Sequence, residues 1–167
     1  MRHVLFSLFL CGFLAAAVPE DSEWMLDYDK GMKLASSENK AILILFTGSD
    51  WCPACIRMEK EVFSQPEFKD YAARNLILVM VDFPKKYAQT TRVKKLNQEL
   101  QKKYDAHSYP TLIYLFPNGK LMGSLRFDDF PFVQIRDGKG RKMATLNHET
   151  IKIRDYLTEL DKLHLGN

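Results

Sequence analysis

The sequence predicts a three-layer α/β domain, in which helices cover both faces of a central mixed sheet. Short apolar runs typical of buried strands alternate with segments of helical periodicity, and two further strands joined by a tight turn follow them. The chain has 167 residues, of which 46% are hydrophobic. This is enough for one substantial core but too few residues for two full domains, so we expect one domain.

Helices are predicted where apolar residues recur at every third or fourth position. The segments with this pattern are 24–37, 56–63, 64–72, 90–104 and a closing C-terminal segment that Asn147 caps. Ser64 and Glu67 have the spacing of a capping box, which predicts that the third of these helices begins at Ser64.

Strands are predicted over four apolar runs, at residues 41–47, 76–82, 111–116 and 121–127. The first run, AILILFT, shows no polar alternation, which is typical of a strand buried on both faces of a sheet. Asn118 and Gly119 indicate a hairpin turn, so the last two strands should pair antiparallel. Turn residues on either side of a short apolar piece predict an added hairpin within 128–146.

The first seventeen residues have the pattern of a cleaved secretory signal peptide. Arg2 supplies a positive start, residues 4–14 are almost unbroken apolar sequence, and Ala15 to Ala17 offer small residues to a signal peptidase. We therefore expect a leader at 1–17 and a domain at 18–167, which is exported to the periplasm or secreted.

Two other uses of the leader are less compatible with its residues. A membrane anchor would need about 20 apolar residues, and this run is shorter and is followed by acidic Glu20 and Asp21. A lipoprotein signal would use Cys11, but Leu10 before it is bulky. We expect no stable membrane insertion after cleavage.

Charge gives little reason to expect a polyanionic partner. The chain has 24 Lys and Arg residues against 21 Asp and Glu residues, and they are spread along it rather than gathered in basic blocks. We therefore expect neither nucleic-acid binding nor binding to a membrane surface.

Two cysteines remain beyond residue 17, and they have the spacing C-x-x-C at Cys52 and Cys55. Gly48 to Asp50 break the preceding strand and Pro53 suits a first helical turn, which places Cys52 at a helix N-terminus. Unpaired N–H groups there stabilise a thiolate. We therefore expect Cys52 to attack a disulfide. Cys55, one turn inside the helix, should be shielded and less acidic, which suits it to resolve the mixed disulfide.

Other uses of the cysteine pair stay open. It could be half of a structural zinc site, although zinc requires four ligands and there is no second cysteine pair beyond residue 17. It could also be a static disulfide, although so small a loop would constrain the unfolded chain little. We expect no metal site and no bound cofactor.

The sequence resembles the thioredoxin superfamily at two places. The segment DWCPACIRMEKEVFSQPEF at 50–68 is similar to the active-site segment of bacterial periplasmic thioredoxin-like proteins, among them the C-terminal domains of inner-membrane thiol:disulfide interchange proteins. Tyr109 to Thr111 resembles the superfamily's cis-proline element. The resemblance covers residues 24–127 and the closing helix, and it implies a thioredoxin fold, a cis peptide bond at Pro110, and substrate contacts from Trp51, Tyr109 and Pro110.

Two departures from the family concern proton transfer and redox direction. Thioredoxin keeps a buried Asp in the strand before the active site, where this sequence has Ile44 to Phe46. Glu59 and Asp82 are substitutes, although each is interpreted as a solvated charge. No histidine lies between the cysteines, which favours a reductase or isomerase over a strong oxidant.

The function expected from these features is that of an exported thiol:disulfide oxidoreductase, a reductase or isomerase of disulfides in other exported proteins. Its partners would be cysteine-containing clients and a membrane electron donor, because an oxidising compartment would otherwise leave the pair as a disulfide. The alternative is a non-catalytic adaptor or chaperone that binds partners through the cis-proline groove and the 128–146 insertion.

Overall fold

The computed structural model describes residues 24–129, 132–139 and 141–147. Four α-helices and a π-helical turn lie in this part of the chain: α1 (Tyr28–Glu38), α2 (Pro53–Met58), the π turn (Glu59–Phe63), α3 (Pro66–Asn75) and α4 (Thr91–Lys103). The strands are β1 (Ala41–Thr47), β2 (Leu76–Asp82), β3 (Thr111–Leu115), β4 (Leu121–Asp129), β5 (Phe132–Asp137) and β6 (Lys142–Asn147). The predicted leader at 1–17 and the predicted closing helix lie outside the described residues.

The strands form one mixed sheet in the order β2-β1-β3-β4-β5-β6. β1 and β2 are parallel, whereas each of the remaining neighbouring pairs is antiparallel. The turn at Asn118 and Gly119 forms as predicted, with Gly119 at a φ of 81°, a conformation that glycine adopts without a steric cost. β5 and β6 supply the added hairpin expected within 128–146 and extend the sheet.

Helices cover both faces of the sheet, as a three-layer domain requires. On one face, Met58, Val62 and Phe68 from α2, the π turn and α3 pack against buried strand side chains such as Leu43 and Leu112. On the other face, Ala35 of α1 and partly buried Leu100 of α4 pack against a second set, which comprises Ile42, Ile44, Phe46, Ile77, Val79, Val81, Ile113 and Leu115. The predicted fold class is confirmed.

The first helix begins later than its periodicity suggested. Met25 pairs with Val79 in an isolated parallel bridge, and the helix begins only at Tyr28, after Asp27 accepts a hydrogen bond from the Lys30 N–H. Trp24 contributes to the core from this extended segment, where its ring lies 5.1 Å from that of Phe63.

The predicted capping box at Ser64 is wrong. α3 begins at Pro66, and its N-cap Gln65 makes no side-chain capping bond. The Ser64 hydroxyl instead donates to Glu59, because the preceding segment ends in a π turn rather than in continuous α-helix. Asn147, the predicted cap of the closing helix, is the last residue of β6, and the helix that it would cap lies outside the described residues.

The sheet topology brings three chain segments to one edge. Thr47 at the end of β1 pairs with Asp82 at the end of β2, and Phe46 pairs with Thr111 at the start of antiparallel β3. The loop that leads to Cys52, the loop after β2 and the Tyr109–Pro110 bond therefore meet at this edge. Binding crevices of open α/β sheets form at such strand ends.

Candidate active site

Residues 48–51 connect β1 to α2 in a tight turn, which we call the cysteine loop. The N–H groups of Trp51 and Cys52 both donate to the Gly48 carbonyl oxygen, at 3.2 and 2.9 Å. A Cβ atom at position 48 would lie 2.5 Å from the Trp51 indole, so glycine permits the loop to fold under the ring.

Cys52 and Cys55 form a disulfide with their Cα atoms 5.3 Å apart. Cys52 is the N-cap of α2, and its sulfur accepts a hydrogen bond of 3.3 Å from the Cys55 N–H. Both residues are only 5% exposed, so Cys55 is shielded as predicted, and Cys52 is shielded equally. Hydrogen bonding rather than burial distinguishes the two cysteines.

Tyr109 and Pro110 face the cysteines from the start of β3. The peptide bond between them is cis, as the resemblance implied, and Pro110 is buried. The Tyr109 carbonyl oxygen lies 3.7 Å from the Cys52 sulfur. The Tyr109 hydroxyl accepts a hydrogen bond of 2.6 Å from the Gln101 side chain. Burial raises the pKa of Tyr109 above its ordinary value, against a smaller lowering effect of the Gln101 bond.

Trp51 is half-buried and forms an aromatic rim with two other rings. Its indole N–H donates to the Phe83 carbonyl oxygen at 2.7 Å, and its ring meets Tyr109 edge-on with centroids 5.9 Å apart. Phe83 lies 5.3 Å from Tyr109 between ring centroids. The Lys85 ammonium lies 3.6 Å from the centroid of the Trp51 ring. The structure therefore brings together Trp51, Cys52, Cys55, Tyr109 and Pro110.

Asp82 is buried, with 4% of its surface exposed, so its interpretation as a solvated charge is wrong. Its carboxylate accepts hydrogen bonds from the Ser49 N–H at 2.9 Å, from the Ser49 hydroxyl at 2.7 Å and from the Tyr87 hydroxyl. The bond to Asp82 raises the pKa of Tyr87, and the Ser49 bond opposes this rise. Asp82 thus ties the cysteine loop to the segment after β2.

Residues 83–87 form a second loop, the lysine loop, which is bonded to the cysteine loop. The Asp50 carboxylate accepts hydrogen bonds from the backbone N–H groups of Lys85 and Lys86, and Phe83 N–H donates to the Thr47 carbonyl oxygen. Desolvation acts to raise the pKa of Asp50, but the backbone N–H donors, chiefly those of Lys85 and Lys86, together with the Lys86 charge outweigh it and lower that pKa.

The sequence missed Ser49, Tyr87 and Lys85 as parts of this site. The available signal was topological: two consecutive parallel strands, each followed by a polar loop, must place those loops side by side. Glu59, the other proposed substitute carboxylate, is exposed and accepts a hydrogen bond from Ser64.

The described part of the chain contains no cluster of three or more His, Cys, Asp or Glu side chains suited to holding a metal ion. Among the helices described there, none is long and apolar enough to cross a membrane.

Known proteins resemble this chain in sequence. A profile of the family described as thioredoxin-like domain matches residues 28–143. The disulfide bond reductase DsbH of Chlamydia pneumoniae is 35% identical over 101 residues, which are 60% of this chain and 61% of that protein. The thioredoxin-related protein DsbJ of the same organism is 30% identical over 105 residues, which are 61% of this chain and 30% of that protein. The chain therefore spans less than two thirds of the length of either relative.

Solved structures resemble it in fold. The structure of a DsbH oxidoreductase superposes with a TM-score of 0.61 at 27% identity, and the match covers 84% of this chain and 83% of that one. A thioredoxin from Thermus thermophilus superposes with a TM-score of 0.51 at 17% identity, covering 86% and 88% of the two chains, which indicates the fold alone. Together with the profile match, these likenesses show that the chain belongs to the thioredoxin-like domain family of the thioredoxin superfamily.

Proposed function

We propose that this protein is an exported thiol:disulfide oxidoreductase that reduces or isomerises disulfides in other exported proteins. The observation that carries the proposal is the position of Cys52, whose sulfur lies between the Cys55 N–H and the Tyr109 carbonyl oxygen. The relative DsbH, a disulfide bond reductase, supports the same chemistry.

In the first step, the Cys52 thiolate of the reduced protein attacks one sulfur of a client disulfide. A bond forms between Cys52 and that sulfur, the client S–S bond breaks, and the second client sulfur leaves with the electron pair and takes a proton from water. The Cys55 N–H, which donates to the Cys52 sulfur, would stabilise the thiolate charge before attack.

In the second step, the Cys55 thiolate attacks the Cys52 sulfur of the mixed disulfide. The Cys52–Cys55 bond forms and the remaining client thiolate leaves, so the client has gained two electrons and the protein has lost two. The 5.3 Å between the two Cα atoms suits this bond. An external dithiol must then reduce the pair, and for an exported protein we propose a membrane electron transporter.

Tyr109, Pro110 and Trp51 would bind the client. An extended client segment can pair with backbone groups as an added strand does, and the Tyr109 carbonyl oxygen faces the Cys52 sulfur. Trp51 would supply a flat apolar surface beside the sulfur.

The test is reduction of a dye-quenched disulfide peptide, with reduced glutathione as the electron source. We expect turnover above the glutathione background for the wild-type protein, and background rates for Cys52→Ser of unchanged circular dichroism. Undiminished turnover by Cys52→Ser would end the proposal. Client binding that persists when both Cys52 and Cys55 are changed to Ala, without turnover by the wild type, would indicate the adaptor instead.

The direction of electron flow can be measured as the reduction potential of the pair, by equilibration with glutathione buffers and trapping of free thiols. A value near about −270 mV, the range of thioredoxin, would support a reductase that needs a donor. A value near about −120 mV would mean an oxidant and would contradict the preference for reduction or isomerisation.

Export itself rests on the leader at 1–17, with 18–167 as the exported domain. Expression of the full chain in a bacterium, followed by N-terminal sequencing of the periplasmic fraction, tests it directly. We expect the protein there to begin at Val18, whereas an intact leader on a cytoplasmic protein would contradict export.

A further inference from the structure

Lys85 carries a charged side chain that borders the aromatic rim beside Cys52. Its ammonium lies 3.6 Å from the centroid of the Trp51 ring, and Trp51 in turn contacts Tyr109, whose carbonyl oxygen faces the Cys52 sulfur. A client segment that extends from Cys52 across Trp51 would therefore pass close to the Lys85 ammonium.

The position of Lys85 is set by its backbone and not by its side chain. Its N–H donates to both oxygens of the Asp50 carboxylate, at 3.0 and 3.1 Å. This bond holds the lysine loop against the cysteine loop, and a substitution at position 85 other than proline leaves the N–H in place. The charge at this position can therefore be changed without releasing the loop.

The neighbouring acidic groups are already engaged within the protein. Asp50 accepts the backbone bonds of Lys85 and Lys86, and the Lys86 charge acts on it as well. The Asp82 carboxylate is buried and accepts from Ser49 and Tyr87. The Lys85 ammonium is exposed and lies against a ring, which is an arrangement that a carboxylate from a client can join or replace.

We propose that Lys85 is a specificity-determining residue, which selects client segments that carry Asp or Glu within a few residues of the reactive cysteine. This inference rests on the proposed function, since it assigns a substrate class to the same site. An acidic client side chain would pair with the Lys85 ammonium over Trp51, whereas a basic one would meet a like charge.

The experiment compares two disulfide peptides that differ only in whether Glu or Lys flanks the cysteines. Prereduced full-length protein is mixed with each peptide, and the second-order rate constant of reduction is measured at low salt. The wild type should reduce the acidic peptide about two- to fivefold faster, the range of a solvent-exposed ion pair. The ratio should approach one in Lys85→Gln and fall below one in Lys85→Glu.

Lys120→Glu is the matched control. Lys120 is exposed and lies in the turn between β3 and β4, at the opposite edge of the sheet from Cys52. Lys120→Glu therefore changes the net charge of the protein as much as Lys85→Glu does, but far from the reactive sulfur. Its ratio should equal that of the wild type, and added salt should bring the wild-type ratio toward one.

The outcomes separate this inference from the function on which it rests. If the wild type and Lys85→Glu reduce both peptides with the same ratio, the inference is overturned and the oxidoreductase function stands. If neither peptide is reduced in a reaction that depends on Cys52, the proposed function fails and the inference fails with it.

Discussion

The two parts of the chain around the end of β1 are held by different forces. From Ala41 to Phe46 the strand is buried on both faces, and apolar side chains from both helix layers pack against it. From Thr47 to Trp51 the chain is held instead by hydrogen bonds to Asp82 and to the lysine loop. Apolar burial scales with area and has no direction, whereas hydrogen bonds fix orientation. The strand interior should therefore govern stability, and the polar contacts should govern the shape of the site.

The largest expected effect is a loss of stability in Phe68→Ala, a change in the apolar core that packs against β1. Phe68 is fully buried, with its ring 5.0 Å from that of Phe63, and truncation of such a side chain costs about 3–5 kcal/mol. Urea unfolding measures the loss. Because Phe68 lies in the helix layer, the fraction that stays folded should reduce a disulfide peptide at the wild-type rate. A large fall in the rate per folded molecule would contradict the view that apolar packing governs stability while the polar contacts govern the shape of the site.

A smaller loss of stability with a larger loss of activity is expected from Asp82→Ala. The change leaves the Ser49 N–H, the Ser49 hydroxyl and the Tyr87 hydroxyl without their acceptor, at a cost of about 1–3 kcal/mol. Because Ser49 lies in the cysteine loop, turnover should fall beyond what the unfolded fraction accounts for. Asp70→Ala, at an exposed position of α3, is the control and should change neither quantity. Normal turnover of folded Asp82→Ala would show that the contact is structural only.

Trp51→Phe should lower the free energy of unfolding by about 0.5–1.5 kcal/mol. The variant keeps an aromatic ring but removes the indole N–H that donates to the Phe83 carbonyl oxygen. The KM for the peptide should rise, because the substitution alters the aromatic rim and not the reactive sulfur. Trp24→Phe changes the other tryptophan, on the face that packs with Phe63, and should leave KM as it is. A change in KM of equal size in both variants would refute a special role of the rim.

The smallest expected effect is that of Asp50→Asn, and it depends on pH. The pKa of Asp50 is lower in the folded protein than in the unfolded chain, so ionised Asp50 stabilises the fold above the unfolded value of about 3.9. This contribution disappears as the pH falls through the folded value. The wild type should therefore exceed Asp50→Asn in urea midpoint at pH 7 and at pH 5, with the difference shrinking below about pH 4. A difference that does not vary with pH would mean that the carboxylate charge is not its source.

Much of the fold could be predicted because its signals are local. The β1 run AILILFT has no polar residue before Thr47 and reads as a buried strand, and Asn118 with Gly119 forms a hairpin turn from its own backbone preference. The π turn and the missing cap at Ser64 could not be predicted, since a capping-box spacing does not reveal that Ser64 already ends the preceding helix.

The candidate site divides in the same way. Cys52, Cys55 and Pro110 stand in short motifs that can be recognised in the sequence alone. The burial of Asp82 depends on Ser49, 33 residues away, and on Tyr87 in a loop with no regular pattern. A carboxylate at a strand end is usually solvated, and only the pairing of β1 with β2 shows that donors surround this one.

The central claim is that Cys52 attacks and Cys55 resolves, and trapping of the mixed disulfide tests it most directly. Each reduced variant, Cys55→Ala or Cys52→Ala, would be mixed with an excess of disulfide peptide. The reaction would be quenched with acid, and the mass of the protein would be measured by mass spectrometry. We predict that Cys55→Ala accumulates an adduct of one peptide on Cys52, while Cys52→Ala gives at most a slow trace. Rapid accumulation on Cys55 in the Cys52→Ala variant, with none on Cys52, would contradict the assignment of the two roles.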